Sequence, residues 1–103
     1  MKIHYLIALA AAFSTHAFAA ENSEQLLQKG SCLACHAVAK KMVGPAYKDI
    51  AAKYKNDKGA LSMLEGKIRT GGTGNWGALP MPPQKALSDA EIKTLAQWVL
   101  NQK

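Results

Sequence analysis

Residues 30–45 read GSCLACHAVAKKMVGP and contain both cysteines of the chain, Cys32 and Cys35, with His36 directly behind the second. Two thiols and an imidazole thus stand within five residues of backbone. Any fold available to this chain has to be arranged around what those three groups hold. The rest of the sequence decides what that is.

The chain opens on Lys2 and His4, followed by an apolar run at residues 5–13 (YLIALAAAF) that is too short to span a bilayer. Ala17-Phe18-Ala19 then has the small-x-small form of a signal peptidase site. Residues 1–19 therefore read as a secretory signal peptide, cleaved after Ala19. A cut after Ala20 would put Phe18 where a small side chain is needed. A retained membrane anchor is the competing reading, and the short run and the good cleavage site argue against it.

Removing 19 of the 103 residues leaves 84, expected to form one domain over residues 20–103. That is near the size at which an unaided core is marginal, so something besides side chains should add to it. No second long apolar segment follows, so no stable membrane insertion is expected. The leader holds one of the 13 basic residues and none of the seven acidic ones, leaving twelve against seven, or +5. A modest positive charge steers encounters with acidic partners. Nucleic acid is not an expected partner, because the lysines are scattered and export removes the chain from it.

The mature part reads as helical. Asn22 or Ser23 is placed to cap a first helix through Leu26 and Leu27, and Gly30 interrupts it before the cysteines. Residues 47–55 (YKDIAAKYK) form a short helix with Ile50 and Tyr54 on one face, and Asn56-Asp57-Lys58-Gly59 is a turn. Residues 60–69 form a third helix with Leu61, Leu64 and Ile68 in one stripe. Residues 70–84 (TGGTGNWGALPMPPQ) hold four glycines and three prolines, which excludes helix and central strand. Trp76, Leu79 and Met81 mark this as an ordered loop resting on something apolar, and loops this long are usually functional or disordered. Ser88-Asp89-Ala90-Glu91 is a capping box for a last helix with Ile92, Leu95, Ala96 and Val99 in its stripe and Trp98 and Leu100 on its flanks.

An exported chain with two cysteines ordinarily forms a disulfide. A bond across two intervening residues closes a very small loop with little chain-entropy gain, and such close pairs are more often reactive than structural. A structural zinc site wants four N or S ligands. Once His4 and His16 leave with the leader, only Cys32, Cys35 and His36 remain. A thioredoxin-like dithiol belongs at a strand-to-helix junction, and the sequence has no strand pattern. Cys-x-x-Cys-His does read as a c-type haem attachment site. Each thiol adds across one haem vinyl group to give a thioether, and one helical turn between the cysteines matches the separation of the vinyls. The adjacent histidine then reaches the iron from the same side. Export agrees, since c-type attachment in bacteria happens outside the cytoplasm.

His36 should be one axial ligand. Of the methionines that survive cleavage, Met42 lies six residues after His36, on the same side, and Met63 lies in a helix where packing is its ordinary role. Met81 differs: Pro80, Pro82 and Pro83 restrict the backbone around it, which is how a thioether from a distant segment is held in place. His/Met ligation fills both axial positions and raises the reduction potential, so outer-sphere electron transfer is expected rather than catalysis. With His36 on iron no free histidine remains as a base.

CLACHAVAKKMVGPAYKDIAAKY, NWGALPMPP and SDAEIKTLAQWVLNQK together resemble the class I cytochromes c, most closely the small bacterial cytochrome c-551 type. The resemblance covers essentially the whole mature chain. It implies an all-α fold of about four helices wrapped around one covalently bound haem c, with the first and last helices packed together. Cys32 and Cys35 would carry the thioethers, His36 the proximal bond and Met81 the distal one. Pro45 matches the residue whose carbonyl accepts the other ring N–H of the haem histidine, a bond that fixes the ring. Trp76 matches a tryptophan whose indole N–H reaches a haem propionate. Lys67 stands where relatives often carry an arginine as second propionate partner, and it lacks the planar fork. Gln84 stands where relatives often carry Asn, and one extra residue falls between Pro83 and Ser88.

In that fold Leu26, Leu27, Tyr47, Ile50, Leu64, Ile68, Leu79, Ile92, Leu95 and Val99 should wrap the haem. Its exposed edge should be ringed by Leu33, Ala34, Met42, Val43, Pro80 and Pro82, with Lys29, Lys40, Lys41 and Lys48 as a basic rim. Each of these lysines also fits an ordinary solvated side chain. Such a surface suits brief encounters with redox proteins. The resemblance implies a periplasmic monomer taking electrons from a quinol-oxidising complex and passing them to a nitrite reductase, a terminal oxidase or a cytochrome c peroxidase. The competing reading is an enzyme or sensor in which Met81 leaves the iron, and the rigid prolines argue against it.

Overall fold

The structure, a computed structural model, describes the backbone of residues 18–103 and the side chains of residues 23–103. The expected leader lies outside the described residues but for the backbone of its last two. The elements run α1 (Phe18–Lys29), a 3-10 turn (Cys32–Ala34), α2 (Tyr47–Lys53), α3 (Ala60–Thr70) and α4 (Asp89–Leu100). The all-α architecture is as the sequence implies. Among the described residues the one β feature is an isolated antiparallel bridge between Gly72 and Met81.

Helix α4 organises the rest. Its capping box forms in full: the Ser88 hydroxyl accepts from the Glu91 N–H at 3.2 Å, and the Glu91 carboxylate accepts from the Ser88 N–H at 2.9 Å. The stripe of Ile92, Leu95, Ala96 and Val99 is buried, and α4 packs against α1, α2 and α3 in turn. Two ion pairs hold its first turn, from Lys29 at the end of α1 to Glu91 and from Arg69 at the end of α3 to Asp89, each at 2.9 Å. The core joins Leu26 and Leu27 of α1, Tyr47 and Ile50 of α2, Leu87, and the α4 stripe, with Leu64 and Ile68 of α3 half-buried against it.

Several details differ from the sequence reading. Neither Asn22 nor Ser23 caps α1, which starts upstream at Phe18. Ala19, Ala20 and Glu21 are strong helix formers and carry the helix back past both, leaving Ser23 buried within it. Helix α2 stops at Lys53, two residues short of the expected end, and in the turn that follows the Asp57 carboxylate accepts from the Gly59 N–H at 2.8 Å just ahead of α3. Leu61 is half-buried but stands outside the core cluster. Leu79 stands outside the buried side-chain cluster and lines a cavity beside it. The 70–84 loop closes on itself through Gly72 with Met81 and through Thr73 with Ala78, which leaves Leu79 at the rim. Lys29 is not a free member of a basic rim, because its ammonium is committed to Glu91.

Candidate functional site

The cysteine motif begins at Ser31, held in the left-handed region at φ 53°. The 3-10 turn then directs the N–H groups of Cys35 and His36 to the Cys32 carbonyl, at 3.2 and 3.0 Å. Cys32 and Cys35 are half-buried, are not joined to each other, and lie on the lining of one cavity. Burial, above all, pushes the Cys32 thiol up from its ordinary value, and the Cys35 charge adds to the effect. An apolar wall thus favours the neutral sulfur over the thiolate.

His36 lies at the start of a loop folded tightly back on the motif. The Gly44 N–H donates to the Cys35 carbonyl at 2.7 Å, and the Met42 N–H donates to the Gly44 carbonyl at 3.0 Å. Nδ1 of His36 is 2.8 Å from the Pro45 carbonyl oxygen. A carbonyl can only accept, so Nδ1 carries the proton, and in the neutral ring the lone pair belongs to Nε2. Gly44 makes room for this arrangement, since a Cβ there would run into the His36 ring itself. Tyr47 lies against the same ring, with centroids 5.1 Å apart and planes 20° apart.

Met81 reaches the same cavity from the glycine- and proline-rich loop. Its N–H donates to the Gly72 carbonyl at 2.7 Å and its carbonyl accepts from the Gly72 N–H at 3.1 Å. Gly71 turns the chain into this bridge at φ 72°, with its Cα so close to the Met81 carbonyl that a side chain would collide. The Gln84 N–H ties the far end of the loop to the Ile68 carbonyl at 3.0 Å. Backbone pairing therefore adds to the restriction imposed by Pro80, Pro82 and Pro83. Met42 and Met63 also line the cavity, the first 46% exposed at its mouth and the second on α3.

Trp76 and Lys67 lie on the same wall. Trp76 sits in the loop beneath the Lys53 ammonium, 4.6 Å from the ring centroid. The Lys67 ammonium folds over Gly72, where a Cβ would come within 2.9 Å of it. Of the expected ring, Ala34, Met42, Val43, Pro80 and Pro82 are exposed and line the cavity, Leu79 joins them, and Leu33 is exposed but does not line it. Three contributions were not legible in the residues alone: the stacking of Tyr47, the Gly72–Met81 bridge and the place of Gln84 on the cavity wall. For the Gly44 approach there was a signal, the Gly44-Pro45 dipeptide.

The cavity is about 550 Å³ and is lined by Leu64, Ile68, Leu95 and Val99 beside the groups above. That is within the range of roughly 300–1,000 Å³ typical of cofactor sites. Two thiols on one wall, an imidazole with its lone pair on Nε2 and a thioether from a separate segment fit a covalently attached haem.

Comparison with known proteins gives the same direction. The Cytochrome c family model matches residues 20–103. Cytochrome c-551 of Pseudomonas aeruginosa is 54% identical over 84 residues, covering 82% of this chain and 80% of that protein. Cytochrome c-552 of Nitrosomonas europaea is 47% identical over 103 residues, the whole of both chains. The crystal structure of wild-type Nitrosomonas europaea cytochrome c552 matches with a TM-score of 0.75 and 51% identity, covering 78% of this chain and 99% of that one. The class 1 cytochrome MtoD of Sideroxydans lithotrophicus ES-1 matches at a TM-score of 0.70 and 25% identity, over 81% of this chain and 95% of that one.

Proposed function

The chain belongs to the cytochrome c family, electron carriers with one covalently attached haem c rather than enzymes, and from that premise we propose a periplasmic single-electron shuttle with His36 and Met81 as axial ligands. The observation that carries the ligand assignment is the 2.8 Å contact between His36 Nδ1 and the Pro45 carbonyl, which puts the lone pair of the imidazole on Nε2 in a cavity that Met81 also lines.

The bound haem supplies a one-electron couple at its iron. Everything else is done by the chain. Cys32 and Cys35 anchor the group as thioethers from one wall. His36 would be held as the Nδ1–H tautomer by the Pro45 carbonyl, which leaves Nε2 for the iron. Met81 offers its sulfur from a backbone pinned to Gly72, so little reordering of the loop accompanies a change of charge. Trp76 would offer its indole N–H to a propionate, and Lys67 its ammonium to the other as a point charge. Leu64, Ile68, Leu95 and Val99 exclude water from the ring.

A match that starts at residue 20 supports the reading of residues 1–19 as a cleaved leader. No helix among the described residues is long and apolar enough to cross a membrane. The exposed apolar ring of Leu33, Met42, Val43 and Leu79, with Lys40, Lys41 and Lys48 exposed nearby, suits short-lived contact with redox partners by a monomer. On the chemistry of the family, the donor is a quinol-oxidising complex and the acceptor a nitrite reductase, a terminal oxidase or a cytochrome c peroxidase.

The optical spectrum of the oxidised holoprotein tests the ligand set. Sulfur on a ferric iron gives a weak near-infrared charge-transfer band. That band should be present in the wild type, persist in Met63→Leu and vanish in Met81→Ala. A wild type without it, or a Met81→Ala variant that keeps it, overturns the assignment.

A further inference from the structure

We propose that Tyr47 is a positioning residue for the iron-binding imidazole: its ring fixes the plane of His36 and ties that plane to helix α4. The proposal rests on His36 being an axial ligand. A hydrogen bond from Nδ1 to Pro45 defines a direction for the imidazole but leaves the ring free to rock about it. A flat neighbour removes that freedom. Tyr47 supplies one, stacked at 5.1 Å with an interplanar angle of 20°, while the Gly44 backbone crowds the same ring.

Tyr47 is itself unable to yield. It is 4% exposed and belongs to the core cluster with Ile50, Ile92 and Leu95. Its N–H donates to the Ala37 carbonyl at 3.0 Å, which anchors the start of α2 to the residue after His36. Behind it stands Trp98 of α4, edge-on at 5.1 Å and 80°. Cys32 packs against the same core cluster. One buried side chain therefore lies against the proposed iron ligand, within the cluster that Cys32 packs on, and ties the imidazole to the helix that organises the fold. Ligand groups are held to a fixed geometry when their own neighbours are locked in this way. The stack His36–Tyr47–Trp98 would hold the imidazole plane fixed against helix α4.

In the ferric protein the order and spread of the hyperfine-shifted haem methyl resonances report the plane of an axial imidazole together with the orientation of the thioether opposite, which the shifted Met81 resonances fix separately. Tyr47→Phe keeps the stacked ring and should retain the wild-type order. Tyr47→Leu removes the ring and should lose it, while the near-infrared sulfur band from Met81 persists. A wild-type methyl order in Tyr47→Leu overturns the proposal. Should Tyr47→Leu not yield holoprotein, Trp98→Leu decides the matter, because Trp98 supports Tyr47 from outside the cavity wall: an altered order upholds the stack, and an unchanged one overturns it. Failure of the underlying ligation reading is separate and visible in the wild type alone. The ring protons of an axial His36 are shifted far upfield in the ferrous protein, and their absence from that region would remove His36 from the iron whatever the Tyr47 variants do.

Discussion

Gly44 and His36 are in contact through the glycine's missing side chain. A Cβ at residue 44 would overlap the His36 ring, and the residue after Gly44 carries the carbonyl that holds Nδ1 at 2.8 Å. The two facts are connected. The chain must pass this close to the imidazole for the Pro45 carbonyl to reach it, and only glycine allows the passage.

Gly44→Ala should therefore act on the histidine. Either the ring turns away from Pro45 or the 36–44 loop moves outward, and overpacking of this kind costs about 1–3 kcal/mol. Urea unfolding of the holoprotein should show a lower midpoint at an unchanged m-value. A midpoint equal to that of the wild type would mean that the loop absorbs the methyl group without strain.

The ion pair from Lys29 to Glu91 makes a prediction about pH. The Ser88 backbone N–H, and after it the Lys29 ammonium, hold the Glu91 carboxyl below its ordinary value of 4.5. A carboxyl depressed in the folded state contributes stability above the unfolded value, and that contribution is lost as pH falls through the folded one. The wild type should melt at a higher temperature than Glu91→Gln near neutral pH, and the gap should close in acid, below 4.5. A gap of constant size from neutral pH into acid would show that the charge of Glu91 is irrelevant to the capping box.

Much of this site was legible because its chemistry is local. Cys32, Cys35 and His36 are adjacent in sequence, and a capping box is read from Ser88 and Glu91 alone. Pro45 and Trp76 became visible only through resemblance to a family, since nothing in a single proline or tryptophan says what it will face. The contacts that were not legible are tertiary. Tyr47 looks like an ordinary core residue of α2, and its stacking on His36 depends on how the 36–44 loop returns. Leu79 is a related case: an apolar residue in a glycine-rich loop has no periodicity to say which way it faces, and the structure puts it on the cavity lining. Lys29 was read as a rim charge because its partner, Glu91, lies 62 residues away.

Lys53, the last residue of α2, has its ammonium 4.6 Å from the Trp76 ring centroid and 5.5 Å from that of Tyr54. This clamp joins α2 to the loop that carries Met81. A cation–π contact at a half-exposed site contributes about 0.5–1 kcal/mol. Lys53→Met should then raise amide exchange in the 73–78 segment by about two- to fivefold while core amides of α4 keep their protection. Lys53→Arg should restore the slow exchange, because the guanidinium also stacks on aromatic faces. Equal exchange in Lys53→Met and wild type would leave the Gly72–Met81 bridge as the loop's restraint without the clamp.

The exposed lysines near the cavity mouth govern the rate of encounter rather than the stability of the fold. Lys40 and Lys41 are exposed beside Met42 and Val43, which are 46% and 53% exposed, so an acidic partner would meet charge first and apolar surface second. Charges at the rim of an interface act mainly on the association rate and its salt dependence. Reversal of both, Lys40→Glu with Lys41→Glu, should slow reduction of an acidic redox partner at low ionic strength on the order of tenfold. The slope of rate against ionic strength should flatten at the same time, since screening then has less attraction to remove. Lys29→Gln provides the contrast: its ammonium is tied to Glu91, so the substitution should lower the melting temperature and leave most of the salt dependence in place. Stopped-flow rates across a salt series separate the two cases. A double reversal that keeps the wild-type slope would move the encounter surface away from the 40–43 segment.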